Sequence, residues 1–297
     1  MIPLLKVVCV TPFDADGDVD EEALATIVRH HAAHGFGIYM GSFGSGEGHL
    51  LSRAEIRRIY GVAVEAAAGR APIYAAALGF TDTPHVIELA QEAASVGVDA
   101  VQLMPPRPGP PNVKPPLREL EAYYTDFLDA VHTPVHLTNE GFMVGYSVPA
   151  ALFVQLVQSY SNITSINSTD VDFWQVFDLL ESLDGRVPVH IGLFAQLASL
   201  MSAGATGPLG FEATIAPVLC TGMIEAFNAG RLDEFRAAFL DILRLNQVLL
   251  RYGNPRSIKA SFRMLGLPGG YMRRPYLEPA PEALEDIRRI LVKLELM

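Results

Sequence analysis

Residues 72–103 read PIYAAALGFTDTPHVIELAQEAASVGVDAVQL, and this stretch decides the fold. It opens with a short apolar run at residues 72–76 and closes with another at residues 99–103. Between the two, residues 84–96 carry apolar side chains at helical spacing. Runs that are apolar on both faces are typical of parallel strands covered by helices. The stretch therefore predicts a strand, a helix and a second strand parallel to the first.

The same alternation continues in both directions along the chain. Further apolar runs lie at residues 6–10, 37–40, 134–137, 163–166, 188–191 and 207–211. Amphipathic stretches such as residues 21–34 and 52–68 separate them. Strand–helix units of roughly 30 residues each then fill the first three quarters of the chain. Eight such units predict an α/β fold, a closed (β/α)8 TIM barrel, and an open doubly wound sheet is the alternative.

The strand pattern stops after Pro217. Helical stretches are predicted at residues 218–229, 232–252 and 258–265, with a last helix from Pro281. Their apolar stripe, which needs a partner surface, consists of Phe235, Phe239, Ile242, Leu245 and Leu249. We expect a barrel over residues 1–217 and a C-terminal helical extension over residues 218–297, packed together as a single structural unit.

Composition excludes several classes of protein. The chain has 297 residues, and 22 Lys and Arg against 33 Asp and Glu give a formal net charge of −11. This acidic balance argues against nucleic acid and anionic membranes as partners. Cys9 and Cys220 are too few for a disulfide framework or a zinc site. With no signal peptide and no membrane-spanning segment predicted, a cytoplasmic protein is expected.

Short motifs in order along the chain carry a resemblance to a known family. They are Val10–Phe13 written VTPF, Gly44–Glu47 written GSGE, the Asn162-Ile163 pair before Ile166, Ala216-Pro217, Asn254-Pro255 and Lys259-Ala260. In this order they resemble the dihydrodipicolinate synthase / N-acetylneuraminate lyase family of pyruvate-dependent class I aldolases. The resemblance implies a barrel whose active site lies at the C-terminal ends of the strands. It also implies a homo-oligomer, a dimer or a tetramer built from tight dimers.

The chain departs from that family where the chemistry lies. The resemblance places Asn167 at the end of strand six, where the family's imine-forming lysine stands. An amide is not a nucleophile toward ketones, so Asn167 cannot form the imine. The family's proton-relaying tyrosine falls at Thr138, a far weaker acid, and its loop tyrosine falls at Arg107.

Few of the four lysines of the chain are placed to replace the missing imine-forming lysine. Lys6 is expected at the start of strand one, and Lys259 and Lys293 in the helical tail. Only Lys114, in the proline-rich loop just after the segment at residues 104–111, is expected to reach the barrel mouth. We interpret it as a solvated loop charge.

Alternation along the predicted strands brings small polar groups into the barrel. Alternation places His136 and Thr138 inward on strand five, and His190 and Gly192 face inward on strand seven. The family resemblance implies that Asn167 faces inward on strand six. We predict Asn167, Thr138, His136 and His190 as the reaction centre, with a histidine as general base. The alternatives are hydrogen-bonded core histidines, or a metal site completed by Glu140 that no ligand spacing supports. The other histidines are expected at the surface: His30, His31, His34, His85 and His132.

The glycine-rich turn after strand two is the predicted carboxylate site. Its residues are Gly44, Ser45, Gly46 and Glu47. Closely spaced glycines let backbone N–H groups converge on an anion, beside the Ser45 hydroxyl. The alternative is a tight turn in which Glu47 only holds backbone N–H groups. Substrate contacts are also predicted for Arg107, Asn139 and Gly192.

The sequence thus favours a lyase that acts on a small oxo-acid or related carboxylate without the usual Schiff base. It needs no cofactor and no metal, and its partners are a small carboxylate ligand and further copies of the chain. One alternative is a catalytically silent family member that binds a ligand or regulates an active paralogue. Another is an ordinary aldolase that uses an overlooked lysine.

Overall fold

The computed structural model describes residues 3–76, 78–79, 81–107 and 113–297. Eight parallel strands follow one another in chain order around a closed barrel, which confirms the predicted fold class. The strands are β1 (Lys6–Val8), β2 (Gly37–Met40), β3 (Ile73–Ala75), β4 (Ala100–Leu103), β5 (Val135–Asn139), β6 (Ile163–Ser168), β7 (Val189–Ile191) and β8 (Gly207–Gly210).

Helices separate the strands and follow the last one. Those between strands are α1 (Glu21–Ala33), α2 (Arg53–Ala67), α3 (Thr83–Val96), α4 (Leu117–Ala130), α5 (Gly141–Val144), α6 (Ala150–Ser159), α7 (Phe173–Leu183) and α8 (Leu197–Ser202). After β8 come α9 (Glu212–Ile215), α10 (Pro217–Asn228), α11 (Leu232–Tyr252), α12 (Arg256–Met264) and α13 (Pro281–Lys293). The predicted C-terminal helices are therefore present.

Capping residues fix where the helices begin. Ser52 accepts from the backbone N–H of Glu55, whose side chain in turn accepts from the Ser52 N–H, so α2 begins in a capping box. Asp82 caps α3 by accepting from the N–H of His85. These local signals explain why the helix starts agree closely with the sequence pattern.

The chain divides into two compact units. We call residues 3–73 with 210–297 the terminal unit, and residues 74–209 the central unit. The expected division at residue 217 stays a prediction. In the terminal unit, α11 packs against α10 and α13. Its residues Ile242, Leu245 and Leu249 are fully buried, as the apolar stripe requires.

One histidine expected at the surface is buried instead. His31 lies on the inner face of α1, with no exposed surface and its ring 6.2 Å from that of Phe262. Neither ring nitrogen has a hydrogen-bond partner among the described residues. Burial, and then the nearby His30 and His34, lower the pKa of His31 to about 3. The imidazole is therefore packed in its neutral form.

Among the described residues, no helix is both long enough and apolar enough to cross a bilayer.

Candidate active site

Three polar side chains form one layer across the central unit. Thr138 on β5 is in register with Asn167 on β6, which is in register with His190 on β7. All three side chains are buried. Because alternate residues of a barrel strand share a face, the layer brings together three of the four residues predicted for the reaction centre.

Asn167 lies next to the C-terminal end of β6 and has no exposed surface. The central unit contains a single lysine, Lys114. That side chain is exposed, and its Nζ lies 6.0 Å from the ring centroid of Tyr146. The Lys114 amine is therefore exposed to solvent, as we expected for a solvated loop charge.

Thr138 has a partner that the sequence pattern did not single out. The amide of Gln102, on β4, donates a 2.8 Å hydrogen bond from Nε2 to Thr138 Oγ1. Both side chains are buried. Since that amide fills an acceptor site of the hydroxyl, the Thr138 O–H is turned toward a different acceptor.

The two predicted histidines have different surroundings. The His136 ring meets the edge of Tyr74, with ring centroids 4.4 Å apart. His190 Nδ1 lies 3.4 Å from Ser165 Oγ, and its backbone pairs with Asn167. His190 is therefore the histidine in the same layer as Asn167 and Thr138, whereas His136 lies one layer below.

A second polar layer follows at the very ends of β5, β6 and β7. Its members are Glu140, Thr169 and Gly192, each two residues beyond a member of the first layer. Thr169 Oγ1 donates a 3.0 Å hydrogen bond to Glu140 Oε1. A Cβ on Gly192 would lie 2.2 Å from Thr169 Oγ1, so only glycine leaves room for this hydroxyl. Sequence reasoning proposed no site role for Thr169, and it considered Glu140 only as a metal ligand.

Burial gives Glu140 an unusual protonation state. The side chain is almost entirely buried, and this burial raises the pKa of Glu140 to about 8. The hydrogen bond from Thr169 opposes the rise, and the negative charge of Asp170 adds to it. Asp170 is itself buried, and its Oδ2 lacks a partner among the described residues. At neutral pH, Glu140 therefore holds a proton.

Asn139 and Arg107, both predicted to contact the substrate, lie beside hydrogen bonds that hold nearby loop segments. The Asn139 side chain accepts a 3.1 Å hydrogen bond from the N–H of Val148, which ties down the segment after α5. Arg107 is exposed, near the start of the loop after β4. Tyr146 anchors that loop by donating a 2.6 Å hydrogen bond to the carbonyl of Pro106. Residues 108–111 of the predicted proline-rich segment lie outside the described residues.

The glycine-rich turn belongs to the terminal unit. Thr11 Oγ1 donates to the carbonyl of Gly46 (2.7 Å), and Gly46 N–H donates to Ser42 Oγ (3.1 Å). A Cβ on Gly46 would lie 2.5 Å from the Ser42 nitrogen, so the turn requires glycine there. Asn254 donates a 2.8 Å hydrogen bond to Ser45 Oγ. The turn is thus rigid, with the Ser45 side chain buried inside it.

Lys259 lies in the helical tail, as expected, and it gives Glu47 a partner that the sequence did not predict. It belongs to α12, and its Nζ forms a buried ion pair with the Glu47 carboxylate of the turn. The same Nζ donates to the carbonyl of Tyr271 (2.9 Å) and lies 4.5 Å from the ring centroid of Phe13. Burial raises the pKa of Glu47, and the adjacent Lys259 ammonium offsets part of the rise. Glu47 is therefore held by a side-chain cation, and the alternative in which it holds backbone N–H groups is wrong for the described residues.

Lys6 is also fully buried, at the first position of β1. Its Nζ lies 3.5 Å from the hydroxyl oxygen of Tyr39, and burial lowers the pKa of Lys6 well below its usual value. This position is the N-terminal end of a barrel strand, as expected from the sequence. TIM-barrel active sites lie at the opposite, C-terminal ends.

Within the described ranges, no group of three or more His, Cys, Asp and Glu side chains is arranged to hold a metal ion.

Comparisons with known proteins agree with the predicted resemblance. The family model described as "Dihydrodipicolinate synthetase family" matches residues 4–294. The 4-hydroxy-tetrahydrodipicolinate synthase of Chlorobium limicola is 29% identical over 291 residues, covering 98% of this chain and 97% of that protein. The same enzyme of Methanococcus maripaludis strain C6 is 28% identical over 288 residues, covering 97% of each chain.

Among solved structures, one similar protein is the chloride-inhibited dihydrodipicolinate synthase of Acinetobacter baumannii, crystallised in complex with pyruvate. It is 26% identical to this chain, with a TM-score of 0.87. The match covers 98% of this chain and 99% of that one.

Proposed function

Because this chain belongs to the dihydrodipicolinate synthetase family, we propose that it is a lyase acting on a small oxo-acid or a related carboxylate without a Schiff base. One observation carries the proposal: an amide, Asn167, occupies the buried end of β6. An amide nitrogen shares its lone pair with the adjacent carbonyl, so it cannot add to a ketone as an amine does. The reaction must then be driven by hydrogen bonding and proton transfer.

The layer around Asn167 supplies the groups for such a reaction. Asn167 and Thr138 act as hydrogen-bonding groups toward the carbonyl oxygen of the substrate, where negative charge develops. His190 acts as the general base, because it shares their layer and a neutral imidazole accepts a proton. His136 lies against Tyr74 one layer below and supports the layer above it.

The substrate class is proposed from the family and from the turn. A solved relative is described as complexed with pyruvate, a 2-oxo acid. The turn at Gly44–Glu47 is proposed to bind a carboxylate. Arg107 and Gly192, in the central unit, are kept as predicted substrate contacts. We also propose a cytoplasmic homo-oligomer, a dimer or a tetramer, on the family resemblance.

Turnover of 2-oxo acids and their 4-hydroxy derivatives tests the proposal. The wild-type protein should consume at least one of these compounds, and His190→Ala and Thr138→Val should each reduce the rate by roughly 100-fold or more. His132→Gln, at an exposed loop histidine, is the matched control and should keep the wild-type rate. Failure of the wild-type protein to consume any of them would contradict the lyase proposal.

A further inference from the structure

The ends of β5, β6 and β7 carry a buried carboxyl group that the family resemblance does not explain. Resting on the proposed function, we propose that Glu140 is the acid that delivers a proton to the carbonyl oxygen of the oxo-acid substrate. The residue takes the place of the missing phenolic proton relay, from a different position in the chain.

The layers of the central unit place Glu140 above the proposed reaction centre. Thr138, Asn167 and His190 form one layer, and Glu140, Thr169 and Gly192 lie two residues further along the chain, each directly after the end of its strand. Thr169 N–H donates to the carbonyl of Asn139 (2.8 Å), and Gly192 N–H donates to that of Ser168 (2.7 Å). Strand pairing therefore continues up to this second layer. Its position is the C-terminal edge, where barrel enzymes place their chemistry.

Two glycines make room for the groups that surround Glu140. A side chain at Gly192 would collide with the Thr169 hydroxyl at 2.2 Å, and one at Gly141 would meet the Asp170 carboxylate at 2.8 Å. The Thr169 hydroxyl is thereby held 3.0 Å from Glu140 Oε1. This hydroxyl gives the buried Glu140 carboxyl a fixed hydrogen-bond partner.

The buried surroundings of Glu140 keep its carboxyl group protonated at neutral pH, before it donates to the substrate. Burial is the main cause of the raised Glu140 pKa, and the negative charge of Asp170 raises this pKa further. A carboxylic acid that stays neutral near pH 7 can donate its proton to a developing oxyanion.

The proposed step can be written for pyruvate with all atoms accounted for. The Glu140 O–H bond breaks and its proton moves to the carbonyl oxygen of pyruvate. A C–H bond at C3 breaks at the same time, its electron pair forms the C2–C3 double bond, and the proton goes to His190. Enolpyruvate, the Glu140 carboxylate and the His190 imidazolium result, and the reverse step restores pyruvate. Exchange of the His190 proton for a deuteron between turnovers is part of the proposed step, so pyruvate in D₂O gains deuterium at C3.

The experiment follows this exchange by the loss of the pyruvate methyl signal in proton NMR spectra recorded in D₂O. Wild-type protein should catalyse the exchange, and Glu140→Gln should slow it by roughly 100-fold or more. Glu119→Gln, which neutralises an exposed carboxylate on α4, should leave it unchanged. Equal exchange by Glu140→Gln and wild type would overturn the inference, and so would a wild-type protein that catalyses no exchange.

A pH profile distinguishes a proton donor from a residue that only supports the fold. The wild-type exchange rate should fall as the pH rises through about 8, where Glu140 loses its proton. Thr169→Val removes a hydrogen bond that lowers this pKa, so the fall should move to higher pH. A profile unaltered by Thr169→Val would count against the proposed role.

Two further measurements keep this inference separate from the proposed function. The infrared difference between wild type and Glu140→Gln at pH 7 should contain the carbonyl band of a protonated carboxyl group, and its absence would overturn the inference without any assay of activity. Borohydride trapping with pyruvate tests the imine-free reaction on its own. A trapped adduct, combined with exchange that depends on Glu140, would remove the imine-free claim and leave the proton donor standing.

Discussion

Lys259 and Glu47 form an ion pair whose two side chains are both essentially inaccessible to solvent. The pair joins α12 to the glycine-rich turn within the terminal unit. Lys259 also contacts the Phe13 ring and the Tyr271 carbonyl, so its ammonium group is surrounded by favourable partners. The turn that is predicted to hold a carboxylate is thus fixed by the C-terminal helices.

Replacing Lys259 with Met should lower the free energy of unfolding by about 3–5 kcal/mol, because Glu47 is left buried without its counter-charge. The double variant Lys259→Met/Glu47→Leu should be more stable than this single variant. Urea unfolding measures both. Arg58→Ala, which removes an ion pair between exposed side chains, is the control and should change stability by no more than about 1 kcal/mol. A loss below about 1 kcal/mol for Lys259→Met would show that the buried pair is not structurally important.

Gly192→Ala should disturb the second polar layer, because the new methyl group meets the Thr169 hydroxyl at 2.2 Å. The expected loss of stability is about 1–3 kcal/mol, as for other overpacked sites. Thermal or urea denaturation measures it. In a Thr169→Ala background, where the space is vacated, the same Gly192→Ala change should cost much less. An equal cost in both backgrounds would show that the steric explanation is wrong.

Gly46→Ala should weaken binding of pyruvate, used as the carboxylate probe, by roughly tenfold or more, which is about 1.4 kcal/mol. The added Cβ would lie 2.5 Å from the Ser42 nitrogen, so the turn must change shape. Titration calorimetry measures the affinity. Gly222→Ala on α10 is the matched control, because a Cβ there meets nothing within 4 Å. Unchanged affinity in Gly46→Ala would argue against a carboxylate site at the turn.

His31 should make the protein sensitive to mild acid. Its pKa is about 3 in the folded chain against 6.5 for an ordinary histidine, so below pH 6.5 the unfolded state binds more protons. Stability is therefore lost as the pH falls, by about 2 kcal/mol from this group between pH 6.5 and about pH 5. His31→Phe should reduce that loss, whereas His132→Gln at the exposed loop should not. Urea unfolding at the two pH values checks this, and parallel losses in wild type and His31→Phe would contradict it.

The barrel could be predicted because its signals are local. Apolar runs mark the strands, and caps such as Ser52 and Asp82 mark where helices begin. Thr138, Asn167 and His190 were each assigned to a predicted strand, and their register is a finding of the structure.

The electrostatics of the site could not be predicted, because they depend on residues from separate elements. Nothing in the sequence around Lys259 indicates that it pairs with Glu47. The partner of Glu140 is Thr169, which follows the next strand of the barrel, β6. His31 resembles its less buried neighbours His30 and His34 in sequence, and only the packing of α1 shows that it is buried. A glycine directly after a strand, as at Gly192, was the one local signal for the second polar layer.

The chemistry at the end of β6 is tested most directly by intact-mass measurement after treatment with pyruvate and borohydride. Asn167→Lys, which restores an amine at this position, serves as the positive control and should gain the mass of one reduced pyruvate adduct. The wild-type protein should gain no mass, because the residue at the end of β6 is an amide. A stable adduct on any lysine of the wild-type chain would contradict the account and restore an ordinary imine-forming aldolase.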